Sequence, residues 1–441
     1  GARAASAPGE RRSKPYDDRA TVDLRAVSAG PEESCGYFAA YHIYPNFPDF
    51  LIRDGKYAAA GDLTGAARYG AYLSDLMSVL PLVPLVVAEF GLATGYGTAH
   101  LHPEGLDHGG LGERAQAEGL VALYREIARR GAGGGIVFEW SDEWSKKAWT
   151  TEPYMIPYDR HALWHNAIDP EQNYGLRAWE SSRRLEWADS GRGIRTACDE
   201  GYLRIEVEPP AGASAYSLEI GIDTVPGDTG QPRLSPDGPA GPQGSEFKVS
   251  IRAVGGRPES ARLLVAADYD RDSGFLYPSA GRSGGFTSIS TLVNGGITTE
   301  EGLAFPALRE DGSILRVARP GREGLVEALP GGKVLVSIPW SRLNVSDPSS
   351  RRILLDTRDV RKALARDGIA TAEIDTIGVW ATAREYASGE TTCLPGPETS
   401  FRAPLRGWDS VSVAARPKAS IGELSDLLHE WDPLALADYG K

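Results

Sequence analysis

A glutamate closes the apolar run PLVVAEF at residues 84–90. The tip of a parallel strand is a rigid platform from which a carboxylate can enter a cleft and attack an electrophilic carbon. Read alone, Glu89 is more often an ion-pair partner or a loop cap. Upstream, YHIYPNFP sets His42 and Tyr44 two residues apart, hence on one side of an extended segment. An imidazole or hydroxyl donor beside a carboxylate stabilises its charged form and fixes its rotamer, although a His-x-Tyr pair on its own also reads as core packing or loop filling. Downstream, GGIVFEWSDEW brings Trp140 and Trp144 next to Asp142 and Glu143. Sugar rings stack their apolar faces on aromatics while acids bind their hydroxyls. Trp140 reads equally well as core, and Asp142 and Glu143 as loop acids. His100, in GYGTAH, has His102 and His108 nearby. Two histidines without a third firm ligand do not specify a metal, so His100 joins the substrate-binding candidates, and neither metal nor cofactor is expected.

The elements that position these residues alternate. Apolar runs at 37–43, 84–90 and 135–140 are nearly continuous, as in parallel strands covered on both faces. Between the first two runs, Tyr69, Leu73, Leu76, Met77 and Leu80 share one face of a helix within 64–80, with Asp62 or Thr64 as its cap. A second helix, near 113–130, repeats the stripe with Ala117, Leu120, Val121, Tyr124, Ile127 and Ala128 before the glycines at 131–135. Chemistry in such arrangements sits at the carboxyl ends of the strands.

From about residue 182 the pattern changes to short alternating segments such as YLRIEVEP, YSLEIGID, EFKVSIRA and GKVLVSIPW, separated by Gly, Pro and Asp turns. That is an antiparallel sandwich pattern. Trp340, Trp380 and Tyr269 in this part read as core sooner than as a sugar platform. SIGELSDLLHEWDPL, near the end, has the spacing of a short amphipathic helix.

Composition limits the partners. A formal charge of -13 argues against a dominant phosphate-binding surface, so no nucleic-acid partner is expected. With 41% hydrophobic residues, no run approaches the roughly 20 apolar residues of a membrane span. The 3 cysteines, Cys35, Cys198 and Cys393, are too scattered for a zinc site or a disulfide framework. The opening GARAASAPGERRSKPYDDRA lacks an apolar signal-peptide core and reads as a tail or linker, in a chain expected to be a piece of something longer.

Three stretches, in order and at near-equal spacing, resemble the clan A retaining glycosidases, family 2 (the β-galactosidase and β-glucuronidase family) in particular. YHIYP at 41–45 is similar to the sixth-strand His-x-Tyr pattern, AEFG at 88–91 to the seventh-strand nucleophile motif, and GGIVFEWSDEW at 134–144 to the eighth-strand motif, with Glu139, Trp140 and Asp142 at the matching positions. NAIDPEQNYGLRAWE at 166–180 is similar to the segment that leaves the last strand. The resemblance implies an α/β fold holding the last three βα units of a TIM barrel. It also implies retaining hydrolysis of a β-glycosidic bond in an oligo- or polysaccharide, with Glu89 as nucleophile and His42 and Tyr44 contacting it. The family's acid/base Glu follows an Asn on the fourth strand, and no such pair precedes His42. An N-terminal barrel half or a partner chain would then supply it, and an extracellular or cell-envelope setting is implied. The part containing LEIGIDTVPGD and VSIPWSRLNVSDPSS resembles the sandwiches of carbohydrate-binding family 9 and DOMON domains. The expected division is a tail at 1–30, the barrel part at 31–181, an all-β antiparallel sandwich at 182–417 and a helical tail at 418–441. The competing expectation is a noncatalytic carbohydrate-binding or scaffold protein.

Overall fold

The computed structural model describes residues 30–430 except 33, 48–49, 59–65, 81–82, 153–154, 211, 213, 226, 228, 268–284, 299–303 and 356–370. The chain forms two compact units. One is built from the chain up to Phe90 together with Ala122–Val137, and the other from Gly91–Val121 together with Phe138 onward.

In the first unit, strands β1 (Ala39–His42), β2 (Leu85–Phe90) and β3 (Gly134–Val137) pair in parallel in the order β1-β2-β3. Leu85 and Val87, two apart, are fully buried, which fixes one face of β2 inward. Helix α1 (Ala67–Ser78) buries Ala67, Tyr69, Gly70 and Leu73. Its N-cap residue, Ala66, makes no side-chain cap, and the expected caps Asp62 and Thr64 lie outside the described residues. Helix α2 (Glu113–Arg129) contributes to both units, because the division falls at Val121/Ala122. Gly131, at φ 83, ends it in the left-handed conformation that a residue with a Cβ resists. Gly70 of α1 abuts the fully buried Glu126 of α2, whose carboxylate is paired with Arg129 at 2.6 Å and Arg130 at 3.1 Å.

In the second unit the sheets are antiparallel. The larger runs Phe286–Ser288, Arg257–Ala266, Phe247–Val254, Ala215–Asp223, Thr376–Glu385, Thr391–Leu394, with Phe401–Pro404 also paired to Thr376–Glu385. A five-stranded sheet runs Val326–Ala328, Val334–Pro339, Tyr202–Val207, Ile194–Cys198, Ala188–Asp189. Alternate residues supply the shared core: Leu203, Ile205 and Val207 from one sheet, and Leu218, Ile220, Val249, Ile251 and Val379 from the other. Trp340 and Trp380 are buried, their indole N–H groups donating to the Asp199 carbonyl and the Ser245 hydroxyl, both at 3.0 Å. Tyr269 lies outside the described residues. Helix Ala419–Glu430 follows the last strand.

The expected partial TIM barrel is overturned. The chain is mostly β with several antiparallel sheets, and the parallel strands form one three-stranded sheet and no α/β barrel. Strand–helix alternation specifies local parallel pairing, whereas closure requires eight strands of matched tilt and shear, which three apolar runs cannot encode. The third run also stops early: β3 ends at Val137, and Glu139 and Trp140 lie beyond it, after a cis Phe138–Glu139 peptide. Among the described residues, no helix is long and apolar enough to cross a membrane.

Candidate active site

The register of β1 on β2 decides what faces Glu89. Ala39 to Tyr41 pair one-for-one with Leu85 to Val87, then a bulge between Tyr41 and His42 advances the pairing so that His42 sits opposite Glu89. Without that extra step His42 would fall opposite Ala88. The Ile43 N–H donates to the Glu89 carbonyl at 2.9 Å and holds the chain in place past the bulge. Tyr44 then enters a tight Pro45–Asn46 turn, bridging to Phe47.

The consequence is a carboxylate gripped from one side. Tyr44 Oη donates to Glu89 Oε2 at 2.9 Å, and His42 Nδ1 lies 3.1 Å from the same oxygen. Among the described residues, no donor engages Oε1. The Glu89 side chain is 28% exposed, so the carboxylate is neither sealed in the core nor free in solvent. The contacts of Tyr44 and His42 with one oxygen fix the plane of the carboxylate and leave the other oxygen to act as a nucleophile.

The other residues singled out from the sequence belong to the second unit. Trp140 is 63% exposed, with the Arg177 guanidinium 5.7 Å from its ring centre. Asp142 is buried, accepting from Lys418 Nζ at 2.7 Å and from the Gly175 N–H at 2.9 Å. Burial pushes its carboxyl up to about 6 against the pull of Lys418. Trp144 is buried and stacked on His165 at 5.5 Å. Glu143 accepts an ion pair from Lys146 at 2.7 Å. His100 stacks on His108 at 5.4 Å with their Nδ1 atoms 3.1 Å apart, and His108 Nε2 is 2.9 Å from Glu171. Among the described residues, no group of three or more His, Cys, Asp or Glu side chains is placed to hold a metal ion.

Glu139 emerges from the geometry with more force than from the sequence, where it stands only at a motif position. Its side chain is 12% exposed and its Oε1 is buried without a hydrogen-bond partner among the described residues. Lys146 approaches Oε2 only to 3.5 Å, because the ammonium is committed to Glu143 and lies 4.0 Å from the centre of the Phe138 ring. Burial therefore prevails over the Lys146 attraction, the neighbouring Glu143 adds to it, and the Glu139 carboxyl is pushed up to about 8. At neutral pH it is predominantly a protonated acid.

Comparison with protein-family models, with curated proteins and with solved structures returned no match.

Proposed function

We propose that the chain acts on carbohydrate and that Glu89 is a glycosidase-type nucleophile. The observation that supports this reading is the convergence of Tyr44 Oη and His42 Nδ1 on one oxygen of Glu89 at a strand end, with no donor on the second oxygen among the described residues. In a retaining reaction that second oxygen attacks the anomeric carbon, the bond to the leaving oxygen breaks, and water later releases the sugar with its configuration kept. Tyr44 and His42 hold the carboxylate in the plane needed for attack and stabilise the anion that is restored when water cleaves the ester.

The test uses activated glycosides. A dinitrophenolate or fluoride leaving group departs without a proton, so the step assigned to Glu89 is isolated from any acid catalyst. A panel of 2-deoxy-2-fluoroglycosyl fluorides should leave a covalent adduct whose peptide maps to Glu89, and Glu89→Gln should abolish both the adduct and the release of dinitrophenolate. An adduct elsewhere, or undiminished release by Glu89→Gln, refutes the assignment. Binding of glycans with no turnover of activated substrates would instead favour a noncatalytic carbohydrate-binding protein, a reading to which the exposed Trp140 ring lends itself.

A further inference from the structure

The second unit holds a half-open cavity of 380 Å³ that the reading of Glu89 does not use. Its volume lies within the roughly 300–1,000 Å³ of small-molecule sites. The loop carrying Thr94–Tyr96, the segment around Asp142 and His165, and the turn at 199–201 leading into strand Tyr202–Val207 form its walls, with Arg316 and Arg416 reaching in.

Its charges are largely spent on one another. Lys418 Nζ donates to Asp142, the Thr94 hydroxyl and the Asn173 carbonyl, so all three of its protons are used. Arg416 pairs with Glu113 and Glu180, and Arg204 with Asp199. Glu200 lies 3.2 Å from Arg183, but both of its oxygens are buried without a hydrogen-bond partner among the described residues, so they can accept from a ligand hydroxyl. A ligand carrying a full charge of either sign would have to compete with these pairs.

Most of the other groups left over are uncharged. Among the described residues, the hydroxyls of Tyr96 and Tyr202, His165 Nδ1, and Nε and Nη1 of Arg316 have no hydrogen-bond partner. The Arg316 guanidinium lies 4.4 Å from the centre of the Tyr96 ring while its Nη2 donates to the carbonyls of Gly95 and Gly110. His165 is kept neutral, because burial lowers it to about 4, so Nδ1 accepts when Nε2 donates to Asn173 Oδ1 at 2.8 Å. Burial likewise keeps the Tyr96 hydroxyl protonated, pushed up to about 12. The rings of Tyr96, Tyr202 and Trp179 add apolar surface between these polar atoms. Uncharged donors and acceptors on Tyr96, Tyr202 and His165, with the Arg316 guanidinium and the Glu200 carboxylate opposite in charge, are interspersed with ring faces and match the alternating hydroxyl and C–H surfaces of a pyranose.

From this arrangement we infer that the cavity is a binding site for a neutral saccharide unit, separate from the Glu89 carboxylate. It stands or falls independently of the nucleophile assignment.

The experiment titrates the full chain with glucose, galactose, mannose, N-acetylglucosamine, glucuronate and glucosamine, following tryptophan fluorescence. At least one neutral sugar should give a saturable change with a Kd of about 1 mM or tighter. Tyr96→Phe and Tyr202→Phe, which remove only a hydroxyl, should each weaken it roughly 5- to 10-fold. Two substitutions on different elements keep the test decisive should one variant fail to fold. No saturation by any neutral sugar, saturation only by the charged glucuronate or glucosamine, or full affinity in every folded tyrosine variant would overturn the inference.

Discussion

Replacing Glu139 with Gln should stabilise the protein, and the gain should grow with pH. The carboxyl ionises near 8 in the folded chain against an ordinary 4.5. A raised acid pKa means that the folded state holds the proton more tightly, so its stabilising effect is complete below about 4.5 and is lost as pH climbs through about 8. At 1.36 kcal/mol per pH unit, keeping the proton on costs about 3 kcal/mol at pH 7, and the full cost of burying the anion, about 5 kcal/mol, is reached by pH 9. Gln keeps the size and the hydrogen-bonding oxygen without the charge, and thereby avoids that cost. Urea unfolding of the native chain and of Glu139→Gln, followed at about pH 5, 7 and 9, should give curves that nearly coincide at the acid end and separate by about 3–5 kcal/mol at the basic end, with equal m-values. Parallel stability profiles across that range would show that Glu139 is ionised throughout and would refute the effect assigned to its burial. Restoring a partner offers a further check. Glu143→Gln, which releases Lys146 to Glu139, should lower the pH at which the native chain loses this stability.

Two other substitutions probe the packing. Lys418→Met should cost about 3–5 kcal/mol by leaving Asp142 buried without its cation. Because Asp142 is already raised to about 6 with Lys418 present, removing the lysine raises it further, so the loss should be larger at pH 8 than at pH 5, and Lys418→Met combined with Asp142→Asn should recover part of it in denaturant melts. Gly70→Ala should destabilise α1 by about 1–3 kcal/mol, although alanine is the better helix former, because its methyl would run into the buried Glu126 carboxylate. A rise in melting temperature would show that Glu126 can move aside at little cost.

What is legible in the sequence is local. His42 and Tyr44 share a face by simple alternation, and the glutamate at the end of PLVVAEF is visible as a strand tip, so these three residues group together on spacing and position alone. The bulge that actually brings His42 opposite Glu89 leaves no mark, since Tyr41 and His42 are ordinary strand residues. Lys418 cannot be paired with Asp142 from sequence because the contact spans most of the chain, and no periodicity reaches so far. Glu139 is visible as an acid but not as a protonated one, because that depends on how Lys146 divides itself between two carboxylates. The barrel fails for a related reason: parallel pairing of neighbouring strands is a local matter, and global closure does not follow from it. In the antiparallel part, the same alternation that suggests strands also places Leu218, Ile220 and Ile222 in the core, because a period of two is fulfilled by each strand individually.

The chain passes from one unit to the other three times, at Phe90/Gly91, Val121/Ala122 and Val137/Phe138. No single cleavage can therefore separate the two units and leave both intact. During synthesis the parallel sheet must wait for its third strand while the intervening stretch, which belongs elsewhere, has already emerged. A gene fragment ending at any of these crossings would encode an unfinished unit, so dissecting the two proposed activities calls for point substitutions in the whole chain instead of truncation.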